Sequence, residues 1–262
     1  MIARHVFRQG LIVGREDFRA FWNWRTWLSA WMLRIGTSAA IWVLLGRMLE
    51  SPEQAEFLLV GNAVMAGPTA VGMVIPASTW NRADGTYPLL VVAPSSMVPA
   101  MLGRTGIWWL HGVGTALATF ALLAGVFGVS FRAAALVWLL GPVALVCASA
   151  YCFCLALGSV VNRAPSLRNV LQNGVMPLLM AVCGVSVPLG FWPTWVQVIA
   201  HGLPVTHGLS AIRALLAGGE TAGILRSLGL EALVGACWLG FAILAMDRLA
   251  DAGRADGSIE LI

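Results

Sequence analysis

Lysine is missing from this 262-residue chain: all sixteen basic residues are arginine. The absence excludes particular chemistry. A P-loop needs a lysine to reach the β- and γ-phosphates, and Schiff-base catalysis needs an amine. If ATP is used here, another chain must hydrolyse it. Charge of either sign is scarce, 11% of residues against roughly a quarter in soluble domains. Residues 57–81, 105–131, 133–162 and 169–212 contain no Asp, Glu or Arg at all. A helix rises about 1.5 Å per residue, so roughly 20 apolar residues cross the hydrocarbon core of a bilayer. The composition dictates a polytopic membrane protein.

Other features are absent too. The first twenty residues hold Arg4, Arg8, Arg15, Arg19, Glu16 and Asp17 and no apolar core, so nothing there resembles a cleavable signal. Cys147, Cys152, Cys154, Cys183 and Cys237 form no Cys-x-x-Cys and have no nearby His pair; they read as small buried side chains. His111, His201 and His207 are isolated, and no carboxylate pair, nucleophile triad or metal-ligand cluster is present, which argues against an intramembrane enzyme.

What is present is organised. At 100° per residue, Phe7, Leu11, Gly14, Phe18 and Trp22 share one arc of residues 2–24, beside an arginine stripe of Arg4, Arg8, Arg15 and Arg19. That pattern predicts an interfacial helix, with rings in the acyl boundary and guanidinium groups at anionic headgroups. Ile12 and Val13 interrupt its polar face and leave room for contact with other protein. Six spans are expected, at 27–48, 56–78, 105–127, 133–158, 170–187 and 225–246. Eleven arginines then fall on the side of the termini and four (Arg47, Arg132, Arg213, Arg226) on the other, so the positive-inside rule puts both termini in the cytoplasm.

Residues 188–219 are mostly apolar yet interrupted by Pro188, Pro193 and Pro204. Two half-length helices are expected there, the first opening at Pro193 and the second capped by Thr206, joined at Gly202-Leu203-Pro204 into an external re-entrant hairpin. In the last span Ala232, Ala236 and Gly240 recur every four positions, allowing close helix packing. The expected fold is all-α: six transmembrane helices, an N-terminal amphipathic helix and this hairpin, all in one transmembrane domain over residues 1–262, whose last stretch, 247–262, is a cytoplasmic tail.

Two motifs carry a resemblance. RADGTYPLLVVAPSS, from Arg82 to Ser96, and GLPVTHGLSAIRALLAGG, from Gly202 to Gly219, resemble patterns of the ABC-2 type permeases, the membrane subunits of one class of ABC exporter. The resemblance implies that Arg82, Asp84, Gly85, Thr86 and Tyr87 belong to a cytoplasmic coupling element that docks on a separate ATPase subunit. Asp84-Gly85 suits a tight turn and Tyr87 a rigid aromatic anchor. Tyr87-Pro88 departs from the family's usual Leu-Glu and shortens any docking helix. In the second motif, the resemblance makes Pro204, Thr206, His207 and Arg213 the hairpin's characteristic residues, with His207 bracing it.

Further expectations follow from the same likeness. A homodimer would work with two ATPase chains in a bacterial cell membrane, in contact with lipid and transported substrate. ATP and Mg would bind on the ATPase and no cofactor on this chain; nucleic acid is not an implied partner. Spans 2 and 5 would line the dimer cavity. On span 2, Asn62, Met65, Thr69 and Met73 share an arc, and on span 5 Asn169, Asn173, Met176 and Met180 do, a mixture of hydrogen-bonding and adaptable side chains suited to an amphiphilic drug, lipid, peptide or glycan. Arg34 lies inside span 1, close enough to snorkel to headgroups or to pair with a neighbour; Glu231 lies inside span 6, within reach of Arg226 or Arg213. The alternative is a secondary transporter driven by an ion gradient. It would want midplane acids and inverted repeats, of which only Glu231 is a candidate.

Overall fold

A computed structural model describes residues 2–48, 50–85, 96–127 and 133–256, and every regular element among them is helical. In chain order the principal helices are α1 (Ile2–Phe21), α2 (Trp24–Met48), α3 (Pro52–Ala77), α4 (Val98–Phe127) and α5 (Ala133–Arg163). They continue with α6 (Arg168–Val182), α7 (Thr194–His201), α8 (Thr206–Leu216) and α9 (Thr221–Asp256). Among the described residues five helices are long and apolar enough to cross a membrane: α2, α3, α4, α5 over Trp138–Arg163, and α9 over Thr221–Leu249.

The third helix is the axis of the bundle. Ser51 caps it by accepting the Gln54 N–H at 3.3 Å, and Pro52 opens it where a missing N–H does no harm. Its sequence is apolar on every side, and 89% of its apolar window is buried against α2, α4, α5, α6 and α8. A helix apolar all round either faces lipid or is enclosed by protein. α3 is enclosed, whereas only 17% of the α9 window is buried. Leu225, Leu233, Phe241 and Leu244 of α9 point outward. So do Ala232, Ala236 and the open Gly240, the small-residue stripe. Close packing of α9 inside the subunit uses Gly235 instead, against Ser149 of α5. Cys147, Cys154 and Cys183 are buried as expected of small side chains, but Cys152 is half-buried and Cys237 exposed.

The first helix has a protein partner. Its Phe7–Gly14–Phe18 arc lies along the first half of α4, where a Cβ on Gly10 would stand 2.7 Å from the Ala100 carbonyl oxygen. Glycine at 10, 14 and 103 is what lets the two backbones approach. The rings expected in the acyl boundary are thus partly given to α4. Asn23 and Thr26 then form a reciprocal capping box that starts α2 (Thr26 N–H to Asn23 Oδ1, 2.9 Å). Between Trp27 and Met32 that helix is π-helical, a wider turn that rotates the faces of everything after it. Trp24 faces outward, whereas Trp31 is buried.

The expected fifth span is short. α6 has 15 residues, about 22 Å of helix, and ends at Val182 instead of 187 because Gly184 takes the left-handed conformation (φ +79°). α7 and α8 follow, with Pro193 just before the first and Gly202 just after it.

Candidate functional site

Two sets of residues stand out, at one end of the bundle and along its side. The first begins where α3 ends. Ser78 and Thr79 return their hydroxyls to the carbonyls of Val74 and Pro76, both at 2.7 Å, and one helical turn, Trp80–Ala83, follows. Asp84 closes that turn through its N–H to the Trp80 carbonyl (2.8 Å), and Gly85 adopts φ +68° with no other described residue within 4 Å of where its Cβ would stand. The positive φ is why glycine suits this position. Gly85 stands where the tight turn was expected.

This elbow is bolted down by Arg104 of α4. The Arg104 side chain is only 8% exposed. Its Nε donates to Asp17 Oδ2 of α1 and its Nη2 to Asp84 Oδ2, each at 2.7 Å, while Nη1 donates to Asn81 Oδ1. A buried guanidinium needs such partners, since an unpaired charge away from water is costly. Trp80 stacks on Phe21 of α1 at 5.1 Å and meets Trp108 of α4 edge-on at 6.2 Å. Asn162 of α5 donates to the Ser78 carbonyl at 3.1 Å. Past the elbow, Ser96 donates to Asp247 of α9 at 3.0 Å and accepts the Val98 N–H that opens α4. Four helices thus hold the two ends of the segment. Of the residues expected to couple, Asp84 and Gly85 end the described turn. Arg82 lies on its turn with its side chain outside the described residues, as are Thr86 and Tyr87 entirely.

Arg104 and Asp17 were not legible as a pair. Arg104 falls one residue before the expected third span, where an arginine reads as a headgroup contact. His111 is likewise not isolated: it accepts from Trp27 Nε1 at 2.9 Å within a cage of Phe18, Trp22, Trp31 and Trp108.

The second set lines an open cleft of about 390 Å³ between α2, α3 and α6. Asn62, Met65, Thr69 and Met73 line it from α3, and Asn173, Met176 and Met180 from α6. Asn169 does not reach the wall. The structure adds Trp31, Arg34 and Ser38 from α2, together with Gln172.

At the opposite end of the bundle, Glu231 of α9 is fully buried. It accepts the backbone N–H of Val205 at 2.8 Å and of Gly208 at 2.9 Å. It pairs with neither Arg226 nor Arg213. Because these N–H groups open α8, the cap expected from Thr206 comes from Glu231 instead, and the Thr206 hydroxyl donates to the Ala200 carbonyl at 2.6 Å. Val205, a β-branched residue at φ +83°, is held in a strained turn by this carboxylate. Pro204 is buried beside it. His207 stacks on His201 at 5.1 Å with its Nε2 3.1 Å from the His201 carbonyl. Arg213 bonds the carbonyls of Gly184 (2.7 Å), Phe57 (3.0 Å) and Val185 (3.2 Å), tying α8 to the start of α3 and the end of α6.

Searches of curated proteins and of solved structures returned no match. The profile of a family described as ABC-2 family transporter protein matches residues 37–244, from inside α2 to near the end of the apolar part of α9. With five membrane-length helices beneath it, that match places the chain in the ABC-2 transporter family, as a multi-pass membrane component of ABC-type transport and not a catalytic subunit.

Proposed function

We propose that the chain is the permease subunit of an ATP-driven ABC-2 exporter, coupled to a separate ABC ATPase through the elbow around Gly85. The observation that carries this reading is the Asp17–Arg104–Asp84 bridge. A loop that receives a partner's motion must not absorb it, and this one is tied by a buried guanidinium to α4 and α1. Its tip stays accessible, with the Asp84 side chain 52% exposed. ATP and Mg belong to the partner.

In this reading one transmembrane domain crosses the cell membrane six times with both termini cytoplasmic. α6 supplies the extra pass with the bends after it: Met176 lies against Gly72 and Val185 against Gly61, antiparallel to α3. α1 lies at the cytoplasmic interface, with its arginines on anionic lipid. The α7–α8 segment is an external re-entrant hairpin. A second copy of the chain completes a path for an amphiphilic cargo along the α3 and α6 stripes. The outward small-residue stripe of α9 and the exposed Phe191, Trp195 and Val198 leave apolar surface for lipid or that second copy. A gradient-driven carrier is disfavoured because both oxygens of Glu231, the one candidate acid within the spans, are committed to backbone N–H groups.

The test is reconstitution with the cognate ABC ATPase. The chain alone should hydrolyse no ATP, and the complex should hydrolyse it and move cargo outward. Transport by the chain alone under a proton or sodium gradient would overturn the reading.

A further inference from the structure

We propose that the α2–α3–α6 cleft selects anionic amphiphiles, with Arg34 as the residue that recognises the negative headgroup. The inference rests on the exporter reading and narrows its cargo. Arg34 stands seven residues after Trp27, where the expected first span opens, at most about 10 Å along α2 and so inside a bilayer core about 30 Å thick. A charge at that depth is expensive and is by default a sign of function. Arg34 makes no ion pair among the described residues, its side chain is exposed, and it lines the cleft. It is nonetheless held in place. Its guanidinium carbon lies 5.0 Å from the centre of the Trp31 ring, and Trp31 is fixed in turn by its Nε1–H bond to Thr115 (3.2 Å). The π-helical turn Trp27–Met32 sets the face on which both emerge.

The other polar residues of the cleft carry no charge. Asn62, Thr69 and Asn173 each donate to a carbonyl four residues back, Leu58 (2.8 Å), Met65 (2.9 Å) and Asn169 (2.9 Å). Ser38 and Gln172 add further neutral hydrogen-bonding groups, so the lining suits hydroxyl or amide groups and holds one charge among the described residues, that of Arg34. Met65, Met73, Met176 and Met180 supply a polarizable wall that adapts to different hydrocarbon shapes. A guanidinium with an adaptable apolar wall fits a carboxylate or phosphate head on an acyl or aryl body. A cationic drug would meet uncompensated repulsion.

The experiment is a binding titration that needs no ATPase, so it fails or succeeds independently of coupling. The full chain in phosphatidylcholine nanodiscs is titrated with 11-(dansylamino)undecanoic acid and, separately, with its uncharged methyl ester, both followed by dansyl fluorescence. The carboxylate should bind about tenfold or more tighter than the ester, the scale of a hydrogen bond to a charged group. Arg34→Ala should abolish that preference while leaving ester affinity in place, and Arg34→Lys should keep part of it. Adding phosphatidylglycerol separates two sources of the head: competition with the carboxylate probe marks a lipid cargo, and its absence a non-lipid anion. Equal affinity of wild-type protein for acid and ester, an unchanged preference in Arg34→Ala, or no binding of either probe would each overturn the proposal. The wild-type comparison stands even if a variant fails to fold.

Discussion

Two buried charges anchor opposite ends of this bundle by opposite means. Arg104 binds side chains, two carboxylates and an amide drawn from α1 and the elbow. Glu231 binds backbone, the N–H groups that open α8. Backbone donors at a helix start cannot withdraw without unwinding the helix, so the Glu231 anchor is permanent. A half-exposed carboxylate such as Asp84 can leave a guanidinium for water or for another partner at small cost. The two anchors differ in the movement they permit: the α7–α8 segment is locked, while the elbow is stiff but releasable.

Substitutions at the two anchors separate these roles. The largest loss is expected for Arg104→Ala, which leaves Asp17 and Asn81 in a partly buried site without a cation. Losing three charge-assisted hydrogen bonds to partly exposed partners costs about 3 kcal/mol, read as a lowered Tm of the purified chain together with loss of coupled transport. If Arg104→Ala melts like wild type, the bridge does not hold the elbow. Glu231→Gln should cost less, about 1–3 kcal/mol, because one carbonyl oxygen remains to accept while an amide N–H₂ faces a backbone N–H. Limited proteolysis should then cut sooner between α7 and α8 with the ratio of transport to ATP hydrolysis intact; a lowered ratio would show that the α7–α8 segment also couples. The smallest change in stability is expected for Gly85→Ala, about 1 kcal/mol from the left-handed φ alone, since no described residue crowds the site. A larger loss would mean that Gly85 is packed, contrary to the open elbow.

The features legible in the sequence were those written in apolar length and periodicity. Uncharged windows located α3, α4 and α5, and apolar runs α2 and α9, to within a few residues at most ends, and the helical spacing of Asn62, Met65, Thr69 and Met73 against Asn173, Met176 and Met180 marked side chains that share one cleft. Proline and glycine at 193, 202 and 204 marked two short helices. What stayed hidden depended on partners. Hydropathy does not see the Gly184 conformation that cuts α6 short, nor the π-helical turn in α2. The apolar arc of α1 was visible, but whether lipid or α4 would cover it was not. Glu231 was weighed against arginines because side chains can be read from a sequence, whereas the free backbone N–H groups of a strained turn cannot.

The central claim is that the elbow transmits work through Asp84 and Arg104, and the ratio of cargo moved to ATP hydrolysed in proteoliposomes tests it most directly. Asp84→Asn removes the charge at a half-exposed position, so stability should change by less than about 1 kcal/mol. The transport-to-hydrolysis ratio should fall about tenfold, the equivalent of one weakened charge-assisted hydrogen bond in the coupled state. An unchanged ratio in a variant that still assembles with its ATPase would contradict the account.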